Sequence, residues 1–177
     1  MTSTASCTPN KPALALNTAE NRVQLVVGTR EKFLLAQDIE MQAKTMQVLP
    51  PAVQSCLQQL RLTPSSLDRV AVVCGPGTFT GVRVSLSFAL GLARGGQVQL
   101  AGLEYLPMLA ASSAGAVQGT LWVCTHARQD LVNIQPFSAV DAGPQAAARC
   151  LTREQAVKAI QADAHKAHIL GSGVRRE

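Results

Sequence analysis

The 177-residue chain predicts an α/β protein built from two related lobes. Three observations carry this. Short apolar runs alternate with segments of helical spacing, as in layered α/β domains. Val70-Ala71-Val72-Val73 is a continuous apolar run of the kind found in central strands covered on both faces, and it leads through a glycine-proline-glycine turn into an apolar helix. After a Gly/Ser/Ala-rich join near 112–119 the pattern restarts: Ala-Leu-Ala-Leu-Asn-Thr-Ala at 13–19 parallels Leu-Trp-Val-Cys-Thr-His-Ala at 121–127. Residues 1–12 are expected to be disordered, 13–116 to form the first lobe and 117–177 the second.

The elements follow in order. Ala13 to Leu16 reads as a short strand, Val23 to Val27 as a second and Glu31 to Ile39 as a third, closing a meander. Thr45 to Leu60 is a helix, with Leu49, Val53, Leu57 and Leu60 at helical spacing. Pro50 and Pro51 sit in its first turn or bend it. Residues 63–68 form a loop, Arg69 to Cys74 a buried strand, Val84 to Arg94 a helix, Val98 to Ala101 a strand and Glu104 to Ala114 a helix. In the second lobe Leu121 to Cys124 and Leu131 to Phe137 are strands around a turn, Arg153 to Ala162 is a helix and Ala167 to Leu170 a strand. A full copy of the first lobe would add a helix after Gly171-Ser172-Gly173. Only four residues follow, so the second lobe is expected to be incomplete, by truncation or by reduction.

Composition narrows the function classes. With 47% hydrophobic residues but one Trp, one Tyr and four Phe, the core must be aliphatic, and few rings remain to stack on single-stranded nucleic acid. The formal charge is +5, yet the basic residues are dispersed and the one adjacent pair is Arg175-Arg176. A scattered excess reads as a solvated surface, and independent nucleic-acid binding is disfavoured. The five cysteines, at 7, 56, 74, 124 and 150, show no C-x-x-C pair; Cys74 and Cys124 close apolar runs and are expected to be buried, reduced thiols. No apolar segment opens the chain as a secretory signal would, and a reducing cytoplasm is the expected compartment, with no membrane partner.

From Val84 to Ala93 there is no charged residue, so this helix is covered on more than one side. Gly81, Ser85, Ala89 and Ala93 recur at i+4, a row that lets another backbone approach, either its own sheet or a partner helix. Gly75 to Gly81 has the form of a phosphate-cradling turn, but Val82 stands where a Walker lysine would, and Gly95, Gly96 and Gln97 occupy the region where a ribose-binding acid would lie. His126, His165 and His168 form no helical metal pair, with the latter two placed near a helix end, and no serine sits in a G-x-S-x-G elbow. No catalytic residues and no metal ligands are assigned.

The run Gly75-Pro76-Gly77-Thr78-Phe79-Thr80-Gly81-Val82-Arg83, followed by an apolar helix with Gly91-Leu92-Ala93, closely resembles the TsaB (YeaZ) family, whose pattern is G-P-G-[ST]-F-T-G-[LV]-R with a G-L-A helix ending. Leu14 to Ala19 resembles that family's opening I-D-T-A, Thr45 to Pro50 its L-P segment, Thr125-His126-Ala127-Arg128 its D-A-R turn, and Gly171-Ser172-Gly173 a late G-x-G loop. The resemblance implies an actin-like, ribonuclease H-like fold of two lobes. It also implies a role in making threonylcarbamoyladenosine on tRNAs that read ANN codons, as a non-catalytic scaffold that pairs with TsaD, with the ATPase TsaE joining the pair. A second copy is the other candidate for the pairing surface. tRNA would be met only through the complex, and ATP or ADP would sit at the TsaD interface rather than on this chain alone. The peptidase M22 label attached to such proteins finds no protease chemistry here.

Under this resemblance Asn17 and Thr18 occupy the first phosphate turn and His126 and Arg128 the second. An amide and an imidazole where actin-like ATPases carry carboxylates speak against a magnesium–phosphate site. Leu49, Val53, Leu57, Ser85, Phe88, Ala89 and Leu92 are expected to contribute to a helical bundle with the partner. The competing expectation is a nucleotide-binding enzyme of the actin-like or sugar-kinase-like class, with its site in the cleft between lobes.

Overall fold

The computed structural model describes residues 11–41, 44–163 and 166–173. The expectation of disorder at 1–12 falls almost entirely outside them. Contacts divide the chain into two compact units. One holds the chain through Cys74 together with Phe79–Leu103; the other holds Gly75–Thr78 and the chain from Glu104 onward.

The first unit is a five-stranded sheet of order β3-β2-β1-β4-β5, made by β1 (Ala13–Asn17), β2 (Arg22–Gly28), β3 (Phe33–Glu40), β4 (Arg69–Val73) and β5 (Gln99–Leu103). The first three run antiparallel as the meander requires, and β4 and β5 add in parallel. In β2 alternation sets the register: Val23, Leu25 and Val27 are buried, whereas Gln24 and Val26 on the other face are half-buried. Two helices, α1 (Thr45–Gln59) and α2 (Phe79–Gly96), supply the remaining buried residues of this core. In α1 Leu49, Val53, Cys56 and Leu57 form one apolar stripe, with Pro50 and Pro51 inside the helix rather than in its first turn. The buried residues of α2 are Gly81, Ser85, Ala89, Ala93 and Gly96, all small. A Cβ on Gly96 would stand 2.8 Å from the Pro64 carbonyl carbon and oxygen, so that helix end closes tightly on the short 3-10 turn Pro64–Ser66. The small row therefore faces the unit's own sheet.

The second unit has a four-stranded sheet of order β8-β7-β6-β9, made by β6 (Thr120–His126), β7 (Leu131–Ser138), β8 (Arg149–Thr152) and β9 (Ala167–Leu170). Its pairings repeat those of the first unit: two antiparallel neighbours on one side of β6 and a parallel strand on the other. Two separate apolar clusters flank β6. Leu106 and Ala110 of α3 (Tyr105–Ser113) join Leu121, Val123 and Phe137. Ala156 of α4 (Arg153–Gln161) joins Trp122, Cys124, Val132 and Ile134. Strand β6 is thus buried at every position from Thr120 to Thr125. The start of α4 is fixed by a capping box between Thr152 and Gln155.

Several expectations are corrected. The α2 helix begins at Phe79 and not Val84, because Thr78 and the turn before it are followed at once by helical residues that the glycine of the motif does not interrupt. Helix α3, expected in the first lobe, packs on the second sheet. Strand β8 has no counterpart in the sequence reading: Arg-Cys-Leu-Thr is short, and Leu151 is its one position that is not exposed. Cys74 is exposed rather than buried, since it lies one residue past the end of β4. His168 lies in β9, not near a helix end, and its Nε2 stands 3.1 Å from the Gln118 carbonyl oxygen. His165 and Cys7 lie outside the described residues.

Candidate functional site

In the first unit the β1–β2 turn is an internally bonded corner. Asn17 is nearly buried; its Oδ1 accepts from the Ala19 N–H at 2.9 Å and its Nδ2 donates to Gln24 Oε1 at 2.9 Å. Gln24 Nε2 in turn donates to Asp38 Oδ2 at 3.1 Å, and Arg22 Nε donates to Asp38 Oδ1 at 2.6 Å. The Arg22 hydrogen bond, helped by Gln24, holds the Asp38 carboxyl below its usual range. Thr18 is fully buried and donates from its hydroxyl to the Gly81 carbonyl at 2.8 Å, which locks the turn to the first turn of α2. Asn17 and Thr18 are thus already engaged by neutral neighbours.

The family motif divides between the units. Gly75, at φ 109, lies in the left-handed region that suits glycine, and its carbonyl accepts from the Tyr105 N–H at 2.9 Å. Gly75, Pro76, Gly77 and Thr78 belong to the second unit. Phe79, Thr80, Gly81 and Arg83 lie in the first turns of α2. Phe79 is 73% exposed and Arg83 stacks its guanidinium 4.3 Å from the ring centroid, an i, i+4 pair on the helix surface.

In the second unit the β6–β7 turn meets the Gly171–Gly173 loop. The His126 N–H donates to Ser172 Oγ at 3.2 Å and the Gly173 N–H to the Cys124 carbonyl at 2.9 Å. A Cβ on Gly171 would lie 2.3 Å from that same carbonyl oxygen, and its φ of 113 also demands glycine, so the G-x-G spacing is dictated by close backbone approach. Among the described residues His126, Gln129, Arg153 and Ser172 line a cavity of about 360 Å³. Arg128 is exposed in the turn, with its carbonyl accepting from the Leu131 N–H at 3.0 Å. Gln129 and Arg153 are absent from the sequence reading. Arg153 is distant from His126 in sequence, and the pairing of β7 with β8 brings it near, with its N–H on the Asp130 carbonyl at 3.1 Å. Among the described residues no three His, Cys, Asp or Glu side chains gather as metal ligands.

The expected partner-facing residues fall into two groups. Leu49, Val53, Leu57, Ser85 and Ala89 are buried within the first unit, at 6% exposure or less, and pack against its sheet. Phe88 and Leu92 are half-buried at the edge of that core. The outward surface of the two helices instead offers Met46, Phe79 and Leu90, exposed at 59%, 73% and 40%. Helical spacing marked the apolar stripe but could not say which side met the sheet.

The repeated strand order, with a meander feeding a parallel strand in each unit, defines the class as an actin-like α/β fold. Two comparisons agree on architecture. A structure from Pseudomonas aeruginosa, an uncharacterized protein with similarity to peptidase YEAZ, superposes with a TM-score of 0.73 at 23% identity, over 82% of this chain and 68% of its own. A second Pseudomonas aeruginosa structure, YeaZ, gives a TM-score of 0.72 at 23% identity, over 82% and 69%. In sequence, the TsaB threonylcarbamoyladenosine biosynthesis protein of Bacillus subtilis is 31% identical over 100 residues, 56% of this chain and 43% of the relative. The TsaB protein of Buchnera aphidicola is 27% identical over 97 residues, 55% of this chain and 46% of its own. The chain thus spans under half the length of the curated relatives it matches. The family model for TsaD, tRNA N6-adenosine threonylcarbamoyltransferase, matches residues 40–152, well over half of the chain. The chain belongs to this TsaD-related family, alongside the proteins called TsaB and YeaZ.

Proposed function

We propose that this chain takes part in forming threonylcarbamoyladenosine on tRNA as a non-catalytic subunit that pairs with TsaD, with TsaE joining the pair and any ATP or ADP held at their interface. Family membership supports the pathway. The observation that carries the non-catalytic reading is Asn17. A magnesium–phosphate site calls for carboxylate oxygen, whereas this amide is neutral and spends its oxygen on the Ala19 N–H and its nitrogen on Gln24. The pairing surface is assigned to the outward faces of α1 and α2, where Met46, Leu90 and the Phe79–Arg83 stack are exposed. A rim of apolar side chains beside an arginine stacked on a ring is the composition that anchors protein interfaces.

The test is co-purification with TsaD from the same source, then reconstitution of the tRNA modification with and without this chain. Omission is expected to abolish product. Leu90→Arg is expected to weaken pairing at least tenfold, the size of a lost interface anchor of about 1.4 kcal/mol or more, while thermal stability stays within about 0.5 kcal/mol. Undiminished modification in its absence, or magnesium-dependent ATP hydrolysis by the isolated chain, would refute the proposal.

A further inference from the structure

We propose that one end of the first unit's sheet is a docking platform for single-stranded RNA, with a base stacked on Phe33 and the phosphates against Lys11, Arg30, Lys32 and Arg69. The inference deepens the tRNA-modification reading and rests on it for the source of the RNA; the platform itself rests on the geometry of this unit. Phe33 opposes Gly28, Gly28 opposes Ala13, Ala13 opposes Arg69 and Arg69 opposes Gln99, so the five positions form one row across all five strands. The row lies on the face turned away from α1 and α2. Leu14, Val27 and Val70, next in sequence to Ala13, Gly28 and Arg69, are the residues that join those helices in the core.

Phe33 is 84% exposed, the highest value among the large hydrophobic side chains of the described residues. A register shift aims it outward. Val27 pairs with Leu35 on the core face and Gly28 pairs with Phe33, which leaves Leu34 unpaired and turns Phe33 out of line with Leu35. Between Phe33 on β3 and Arg69 on β4 stand only Gly28 and Ala13. The row is therefore a low floor about 14 Å wide, three strand spacings, with a ring at one side and a guanidinium at the other. A ring on an open sheet face beside cations is the arrangement on which sheets stack unpaired bases.

The cations are dispersed in sequence, and strand pairing gathers four of them. Lys11 stands just before β1, and Arg30 and Lys32 stand in the β2–β3 turn, at the same end of the sheet as Arg69. The acids there are Glu31 and Asp68, and Asp68 Oδ2 orients Arg69 by accepting from its Nε at 2.8 Å. Among the described residues Lys11, Arg30 and Lys32 form no ion pair. Their turn is held in shape: Thr29 Oγ1 accepts from the Glu31 and Lys32 N–H groups at 3.3 Å each, and the Thr29 N–H donates to the Lys32 carbonyl at 2.9 Å. A surface fixed in this way loses little freedom on binding. Excess positive charge beside an exposed ring fits a polyanion whose bases are unpaired; a duplex would offer the phosphates and hide the base faces.

The test is an amide-resolved NMR titration of the whole chain with a short single-stranded oligouridylate and, separately, with vesicles of anionic phospholipid. Saturable shifts at Ala13, Gly28, Lys32, Phe33 and Gln99 are expected with the RNA. Phe33→Ala is expected to weaken binding about fivefold or more, as loss of one stacked base does, whereas Phe33→Tyr keeps the ring and should stay within about twofold. Lys32→Gln should lower the slope of log affinity against log salt by about 0.7, one phosphate contact. Val140→Ala, an exposed apolar side chain of the second unit, should leave binding within about twofold. In the reconstituted modification reaction Phe33→Ala is expected to raise KM for tRNA and spare kcat. An unchanged KM in that variant overturns this inference and leaves the TsaD-pairing reading standing. RNA binding by a chain whose omission leaves modification intact overturns that reading and keeps the platform for another RNA. The platform is also overturned by an absence of saturable shifts with oligouridylate, by equal affinity in Phe33→Ala, or by shifts with vesicles and none with RNA.

Discussion

The two units share a strand order and bury it differently. In the first, α1 and α2 together with one face of the sheet make a single large cluster, and burial alternates along β2 although β4 is buried throughout Val70–Val73. In the second, α3 and α4 contribute to two smaller clusters, and β6 is buried without interruption. One topology thus supports a single large cluster in one unit and two smaller ones in the other. In the first unit α2 turns a row of Gly, Ser and Ala toward β4, so its backbone lies close. In the second unit Val157 and Ile169 are exposed at 50% and 47%.

Three substitutions and the behaviour of the thiols test this contrast, the largest effect first. Ala89 is fully buried in the close-packed row, so Ala89→Arg forces a charge into the first core and should cost about 4 kcal/mol or more, read as a collapse of the thermal midpoint. A mild effect would mean that α2 is not clamped on its sheet. Gly171→Val places a Cβ on the Cys124 carbonyl at a positive φ and should cost roughly 2–3 kcal/mol by denaturant titration, with loss concentrated around β9 in amide exchange. Thr18→Val removes the buried hydroxyl hydrogen bond that ties the β1–β2 turn to the Gly81 carbonyl, for about 1–2 kcal/mol.

The smallest effect concerns thiols. Burial pushes Cys124 up to about 11, above an ordinary value of 9.0. Its folded form keeps the proton while the unfolded chain has lost it, so stability present below pH 9.0 should decline as pH rises toward about 11. At neutral pH an alkylating reagent should modify exposed Cys74 and Cys150 well before Cys124. Equal rates at all three would show that β6 is not shielded on both faces.

Sequence carried the fold further than the site. Continuous runs such as Val70–Val73 and Leu121–Cys124 announced covered strands, and the Ala167–Leu170 strand was legible to the residue, because hydrophobic period is a local signal. Helix α3 was legible as a helix but not its allegiance, since Leu106 and Ala110 say only that one side is apolar. Strand β8 was silent because its role is to pair with β7, and Arg-Cys-Leu-Thr needs no apolar face for that. The same limit applies to partner surfaces. Leu49, Val53 and Ala89 are apolar for the sheet beneath them, and periodicity alone does not distinguish a sheet from a neighbouring protein. For the cavity, His126 was visible beside its turn and Ser172 in its glycine loop, whereas Arg153 reached them through strand register that no single segment encodes.

The aromatic inventory has a practical sequel. The chain's single Trp122 and single Tyr105 both stand in the second unit, buried, with the indole N–H donated to Asp163 at 2.8 Å. The other unit carries only phenylalanine rings in its described part. Near-ultraviolet fluorescence will therefore report on one half of the polypeptide and stay dark to the other, giving an intrinsic optical label that needs no engineering to watch the halves melt together or in turn.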